Sequence, residues 1–583
     1  MTTEKDLQMD HMVRPQRCLA LVRGVLMALT LASASVAHGE RYSSETSEAV
    51  ELINAFAGSE EPGVAVAVHQ NGETIFTDVR GLARLDEKSA ITDRSVFCVG
   101  SVSKQFTAFA AQLLISEGKL SLDDDARRMV PEIAHYDEPI LVRDLIYHSS
   151  GLKDIWFSFP LMGLYETDAY EHEHIQKMIA RYETLDFSPG SRWIYSNSGY
   201  SALADVIAAA SGEPFPDFVK RRVFEPLGMY QSSVRADTSE LRTDAAAPYR
   251  KKEDGRWHRV PFGYASHGAS GVWTSISDLG LWLNNLAEPI EEHKAAMSRM
   301  FDLGMYRNGE TYNYASGLVP AFIAGQDGFR HSGHDQEFTA ALVYLPKEKG
   351  GVIAIANRNT GVVGLANTVA EAFFDTGEVN PGLAKPAIAD DLSAAGYYIS
   401  EGGVGLTVRA DDDGQGLVLI SPNDTDSIVF REDGSFTRDD GTLPSGAFQR
   451  DDDGAVASLS TPFEGRGSST PVVYYKQPAD YGPMSLEEIK SGGFEGRYFS
   501  RELEAFIDIG LSEVGLTIEN FRELSPLMMT AFGPDSFQVA WPAPAYTEEY
   551  TLHFKRDADG TVTGVNISNF VVSDIAFVRF DVP

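Results

Sequence analysis

Four positions carry residue types that could together attack an acyl carbon: Ser101 as nucleophile, with Lys104, Tyr195 and His331 as its partners. Ser101 and Lys104 stand three apart in "FCVGSVSKQFTAFAAQLL". A serine hydroxyl is a poor nucleophile at neutral pH and needs a base. A lysine amine serves as one when burial or neighbouring cations lower its pKa. The spacing alone says little, because a chain of this length holds about two Ser-x-x-Lys matches by chance. Ser150 and Lys153 in "HSSGLKD" form another. Context separates the two. Ser101 opens a helical pattern with Phe106, Phe109 and Leu113 on one face, so first-turn N–H groups point at an incoming oxyanion and Lys104 lies one turn on. Ser150 precedes a glycine in a loop pattern and reads as a turn residue. For Ser101 itself, an ordinary helix cap stays open as the alternative.

Two further segments could complete a proton relay. "WIYSNSGYSALADVI" presents Tyr195 and, two residues later, Asn197, just before a helical pattern. "FRHSGHDQEFTAALVYL" presents His331, Ser332, Gly333 and His334 at a strand, where the glycine permits close approach of a substrate backbone. Taken alone, a Tyr-x-Asn or a His-x-Gly is a common accident. Cys98, three residues before Ser101, reads as a small buried apolar side chain rather than a nucleophile.

The elements that must hold these residues fall into three blocks. At 583 residues the chain is too long for a single core. A predicted leader covers residues 1–38: Arg14, Arg17 and Arg23, a short apolar run and a small-residue cleavage site near Ala37. Residues 39–380 open with "GVAVAVHQNGETIFTDV", a hairpin signalled by Asn71-Gly72, and close with a second hairpin, "EFTAALVYLP" and "GVIAIANRN". Helical patterns lie between, over Lys104–Glu117 and Tyr200–Ala210, so one antiparallel sheet made from both ends of the block and flanked by helices is expected, an α+β design. A Pro/Gly linker spans 381–390. Residues 391–480 and 488–583 are strand-like and duplicated: "AGYYIS" is echoed by "EGRYFS", and "FQRDDDGAVASL" by "FKRDADGTVTGV". They are expected to form two related antiparallel β-barrel domains. Their Asp-Gly pieces read as turns rather than calcium loops. The net charge of −35 argues against a nucleic-acid partner.

The order Ser-x-x-Lys, Tyr-x-Asn, His-x-Gly resembles the serine β-lactamase-like hydrolases: class C β-lactamases, DD-peptidases and their esterase and aminopeptidase relatives. "DLIYHSSGLKD", "SPGSRWIYSNSGY" and "GASGVWTSISDLGLWL" are similar to further family segments. A catalytic block followed by two barrels is similar to the D-aminopeptidase branch, which releases N-terminal D-residues.

The resemblance implies an acyl-enzyme on Ser101, with Lys104 and Tyr195 moving its proton. It implies that Asn197 orients Lys104 and a substrate amide, and that the N–H groups of Ser101 and His334 form the oxyanion hole. No metal or organic cofactor is implied. Penicillin-recognising relatives carry lysine where this chain has His331, followed by a Thr or Ser that helps bind a carboxylate, here Ser332. A mostly neutral histidine favours amides, esters or peptides read from the amino end. Glu548 and Glu549, in the apparent loop Val539–Tyr550 of the last domain, are the candidates to meet a free ammonium group. The expected partner is a small peptide, amide or ester. No membrane span is expected in the mature chain, a homodimer is possible, and the location is periplasmic or secreted. The alternatives are a broader esterase, DD-peptidase or β-lactam hydrolase, and a non-catalytic binder of peptides or cell-wall fragments.

Overall fold

The Asn71-Gly72 turn folds as its residues require. Both have positive φ, 51° and 83°, the backbone of a tight two-residue hairpin turn. It joins β1 (Val64–Gln70) to β2 (Glu73–Arg80). Farther along come β3 (Val319–Ile323), β4 (Gln326–Asp335), β5 (Phe338–Leu345) and β6 (Gly350–Ala356). This is a computed structural model, and it describes residues 43–164, 168–240, 242, 244–252, 254–378, 392–400, 403–410, 417–421, 424–430, 435–438, 446–451, 453–462, 471–478, 480–519, 526–542, 547–569 and 572–580. The expected leader (1–38) and linker (381–390) lie outside the described residues.

The six strands form one antiparallel sheet in the order β3-β4-β5-β6-β1-β2. Its two sequence ends meet where β1 pairs with β6, Val64 opposite Ala356 and Val68 opposite Val352. Strands β1, β5 and β6 are buried almost throughout, as for strands covered on both faces. One face, with Val64, Val66, Val343 and Ala354, packs on the helices α1 (Ser43–Phe56) and α5 (Val362–Phe374). The other, with Ala65, Leu342 and Ile355, packs on the helical layer that carries the site.

That layer is built around α2 (Ser103–Ser116), α3 (Asn197–Ser211) and α4 (Ile276–Ala287). Gly212, in the left-handed region at φ 77°, ends α3. Ser275 caps α4 by accepting a hydrogen bond from Asp278 N at 3.1 Å. Helix α2 departs from the one-sided pattern read in the sequence: every residue from Ser103 to Leu114 is buried. Its polar side chains find partners on neighbouring elements, although Gln105 Nε2 and Gln112 Oε1 are buried with no hydrogen-bond partner among the described residues. Trp282 Nε1 donates to Gln105 Oε1 (2.9 Å), Thr107 donates to Gly268 O (2.8 Å) and Gln112 to Ser316 Oγ (3.1 Å).

Beyond the linker, eight strands from Gly396–Ser400 to Pro471–Lys476 close into an antiparallel barrel, first strand paired with last. A nine-stranded antiparallel sheet follows. Its edge strands, Leu527–Met528 and Thr530–Gly533, are separated in sequence by Met529 alone, so the sheet is a barrel left open at that point. The duplication is repeated in atomic detail. Tyr398 donates to Ala394 O (2.5 Å), and Tyr498 to Phe494 O (2.6 Å). Asp451 accepts from the N–H groups of Asp453 and Ala455, and Asp557 from those of Asp559 and Thr561. Those aspartates are therefore spent on their own turns. The barrel has its own apolar core, whereas the last sheet shares one continuous buried cluster with the helical layer.

Candidate active site

Ser101 lies in a single 3-10 turn, Gly100–Val102, that leads into α2. Its hydroxyl caps no helix: neither this turn nor α2 has a side-chain cap. Instead Lys104 Nζ donates to Ser101 Oγ at 3.1 Å. Lys104 is fully buried, and its other two protons go to Asn197 Oδ1 and Ala269 O, both at 2.8 Å. All three donors of the ammonium are thus engaged, which fixes the nitrogen beside the serine. The Tyr195 ring lies 4.7 Å from Nζ and that of Tyr200 5.4 Å.

Asn197 begins α3. Its main-chain N–H donates to Asp154 Oδ2 at 2.5 Å. Asp154 is fully buried, and its Oδ1 caps the short helix Ile155–Ser158. Asn197 Nδ2 is buried with no hydrogen-bond partner among the described residues, so its donor capacity is unused. Tyr195 is held from behind by His148, whose ring centroid is 4.3 Å away. His148 Nδ1 accepts from Ser196 N at 3.0 Å, so one histidine sets both the ring and the backbone of this segment.

The strand β4 supplies the opposite wall. Its pairing with β3 ends at Arg330 opposite Val319, while its pairing with β5 continues to Asp335. The outer edge of residues 331–335 therefore faces the Ser101 turn. Two glycines bring the chains together. A Cβ on Gly333 would fall 1.9 Å from Val99 O and 3.1 Å from Ser101 N, and one on Gly100 would fall 2.6 Å from His334 N. Only a bare backbone fits at both positions. The N–H groups of Ser101 and His334 are brought side by side, as an oxyanion hole requires. His331 is buried. Its ring centroid stands 6.4 Å from that of Tyr195, its Nε2 is 3.4 Å from Tyr314 Oη, and its Nδ1 is 2.6 Å from Ser332 O. Ser332 alternates to the other face of β4, opposite Ala341 on β5, and is half-buried.

Next to this wall Asp335 is buried and accepts from Tyr264, Ser270 and, at 3.4 Å, Cys98 Sγ. Burial pushes the Asp335 carboxyl up, and it pushes the Cys98 thiol well above its usual value. Cys98 is thus the buried, unreactive side chain the sequence suggests.

Sequence reasoning brought Ser101, Lys104, Tyr195, Asn197, His331, Gly333 and His334 to one place. It missed His148, Asp154 and Ala269 as supports. The family-like segments "HSSGLKD" and "GASG" were their one signal. Glu548 and Glu549 lie on the strand Thr547–Arg556, opposite Trp541 and Ala540, where the sequence suggested a loop; residues 543–546 lie outside the described residues. Of Glu548 the strand register alone is described. Position 549 shares a face with Thr551, which accepts from Gly405 N of the middle barrel at 3.2 Å, and the Glu549 charge helps burial to raise Tyr474 of that barrel. Tyr550, on the alternate face, reaches the catalytic block: it donates to Phe157 O at 2.5 Å. Among the described residues, no helix is long and apolar enough to cross a membrane.

The family described as Beta-lactamase matches residues 51–374. A D-aminopeptidase of Cereibacter sphaeroides is 25% identical over 542 residues, covering 91% of this chain and 97% of its own. A D-aminopeptidase of Brucella anthropi is 25% identical over 535 residues, covering 89% and 95%. Among solved structures, the octameric penicillin-binding protein homologue from Pyrococcus abyssi superposes with a TM-score of 0.50 at 19% identity, over 92% of this chain and 99% of that one. SurE gives 0.53 at 24% identity, over 75% and 100%. At such identities the two structures speak for the fold alone.

Proposed function

The chain belongs to the beta-lactamase family, and on that premise we propose that it is a serine hydrolase of the D-aminopeptidase type, releasing N-terminal D-amino acids from peptides, amides or esters. One observation carries the catalytic part: Lys104 Nζ, buried and held by Asn197 and Ala269, sits 3.1 Å from Ser101 Oγ. The D-aminopeptidase part is supported by relatives of that name that match nearly the whole chain.

In this reading the Lys104–Tyr195 pair carries one proton fewer than its fully protonated form, so that as Ser101 Oγ attacks the substrate carbonyl carbon the pair takes up the serine proton. The carbonyl oxygen, now negative, is met by the N–H groups of Ser101 and His334. Tyr195 and Lys104 then return the proton to the leaving amine as the C–N bond breaks. Water hydrolyses the acyl-enzyme by the same relay in reverse. Asn197 Nδ2 orients the substrate amide, while Ser332, on the other face of β4, is assigned no contact with it. His331 stands near both Tyr195 and Tyr314, with ring centroids 6.4 Å and 6.3 Å away. Of the two acids Glu548 is the proposed partner of the substrate ammonium, since position 549 shares the face that meets the middle barrel.

The proposal includes the layout 39–380, 391–480 and 488–583, export to the periplasm or medium after removal of residues 1–38, and a homodimer. Hydrolysis of D-alanine p-nitroanilide, its L isomer, a nitrophenyl ester and nitrocefin tests the substrate class. Turnover of the D-anilide above the L-anilide is expected. Brisk nitrocefin turnover without D-anilide hydrolysis would favour the broader β-lactam or esterase reading. Ser101→Ala is expected to abolish turnover, and mass spectrometry of a trapped acyl-enzyme should find the label on Ser101.

A further inference from the structure

The loop Gly151–Asp154 is gripped from two sides. Toward the site it is sewn to the start of α3. Ser196 Oγ donates to Leu152 O (3.0 Å), Ile155 N to Ser198 Oγ (2.9 Å) and Asn197 N to Asp154 Oδ2 (2.5 Å). Asn197 in turn accepts from Lys104 Nζ. Away from the site the loop meets the last β-sheet. Lys153, 3% exposed, places Nζ 3.3 Å from Glu502 Oε2, and the Glu502 side chain is 11% exposed. The other Glu502 oxygen accepts from Ala576 N at 3.4 Å. Asp186, whose N–H donates to Gly151 O at 2.8 Å, accepts from Ser573 N (3.1 Å) and Ser573 Oγ (2.8 Å). Tyr550 reaches Phe157 O. The second Ser-x-x-Lys match of the chain is thereby explained: its lysine serves Glu502, while Ser150 Oγ accepts from Leu152 N at 3.3 Å.

A buried ammonium whose carboxylate is removed must move toward water or lose its proton. Here either response acts on the residue next to Asp154, which fixes the main chain of Asn197. Resting on the serine-hydrolase reading above, we propose that Glu502 is a positioning residue for the Ser101 site: by holding Lys153 it fixes the Gly151–Asp154 loop, and through Asp154 and Asn197 it sets Lys104 Nζ against the serine. The last β-sheet is in this sense a working part of the active site, acting from beneath the cleft without touching substrate.

The test uses the full chain and the substrate that it turns over, D-alanine p-nitroanilide or a nitrophenyl ester. Glu502→Gln is expected to lower kcat about tenfold with KM within about twofold, because the reacting groups shift while the cleft stays open. Arg181→Ala is the control. Arg181 pairs with Glu504 across the same junction at 2.9 Å, but both are exposed and neither is part of the loop; kcat is expected to stay within about twofold. If Glu502→Gln does not fold, the double variant Lys153→Met/Glu502→Gln removes both charges together and is the better-tolerated change. A folded variant of either kind with the original kcat overturns the proposal. Full turnover by Ser101→Ala in the same assay would instead sink the serine reading, whatever Glu502 does.

Discussion

Adding one methyl group at Gly333 should silence the enzyme without unfolding it. The Cβ of Gly333→Ala would lie 1.9 Å from Val99 O and 3.1 Å from Ser101 N. Carbon and oxygen do not approach so closely, so β4 must retreat from the Ser101 turn by about 1 Å or more. The retreat carries His334 N with it and breaks the oxyanion hole. Loss of one such donor costs about 10²–10³ in kcat, or about 2.7–4 kcal/mol of transition-state stabilisation. A 1 Å misplacement is enough for about 10². The assay is steady-state hydrolysis of D-alanine p-nitroanilide and a nitrophenyl ester, with circular dichroism to show that the fold survives. Gly364→Ala is the matched control: a Cβ there meets nothing within 4 Å on the exposed side of α5. It should leave kcat unchanged and stabilise the helix by up to about 1 kcal/mol. A folded Gly333→Ala protein with kcat within about threefold of the original would refute the oxyanion role of His334 N.

Other consequences follow from the same geometry. Tyr195→Phe keeps the ring on His148 but removes the hydroxyl, so the melting temperature should hold while kcat falls about 10²–10⁴-fold; a small loss would remove Tyr195 from the relay. Cys98→Ala should keep kcat within about threefold, and peptide mapping should find Cys98 alkylated by iodoacetamide only after denaturation, because burial raises its thiol. Burial raises the Asp186 carboxyl from 3.8 to about 7. The folded state therefore favours its protonated form, and its contribution is full below about pH 4 and lost as pH rises through 7. The gap amounts to roughly 4 kcal/mol as an upper bound. Asp186→Asn should remove this dependence, so the melting temperature of the original protein minus that of the variant should fall from pH 5 to pH 8. A constant difference would contradict it.

Features encoded within a few residues were legible in the sequence. Asn71-Gly72 specifies its hairpin because positive φ is a local property. Ser101 and Lys104 share one helical turn, and the repeated tyrosines at 398 and 498 announce two copies of one β unit. What escaped depends on distant partners. The burial of α2 on every side is hidden by Gln105, Thr107 and Gln112, whose partners lie over 160 positions away. Asp154 caps the short helix Ile155–Ser158 with one oxygen, but its second oxygen serves Asn197, 43 positions on. Lys153 looked like half of a chance motif, and no local pattern points to Glu502. The stretch Val539–Tyr550 reads as a loop because its Pro residues obscure the paired strands on either side.

The meeting of β1 with β6 has a consequence for biosynthesis. Val64 and Ala356 are about 290 positions apart, so the sheet has no central strand pair until β6 has left the ribosome. At about 5–20 residues per second, β1 waits roughly 15 to 60 seconds as an apolar strand with an unsatisfied edge. Ser101 is synthesised early, but the wall that faces it, β4, comes some 230 residues later, so no chain that ends before β4 holds an assembled nucleophile. The closing of this sheet is a slow, long-range step, and the nascent chain is catalytically inert until it is nearly two-thirds made.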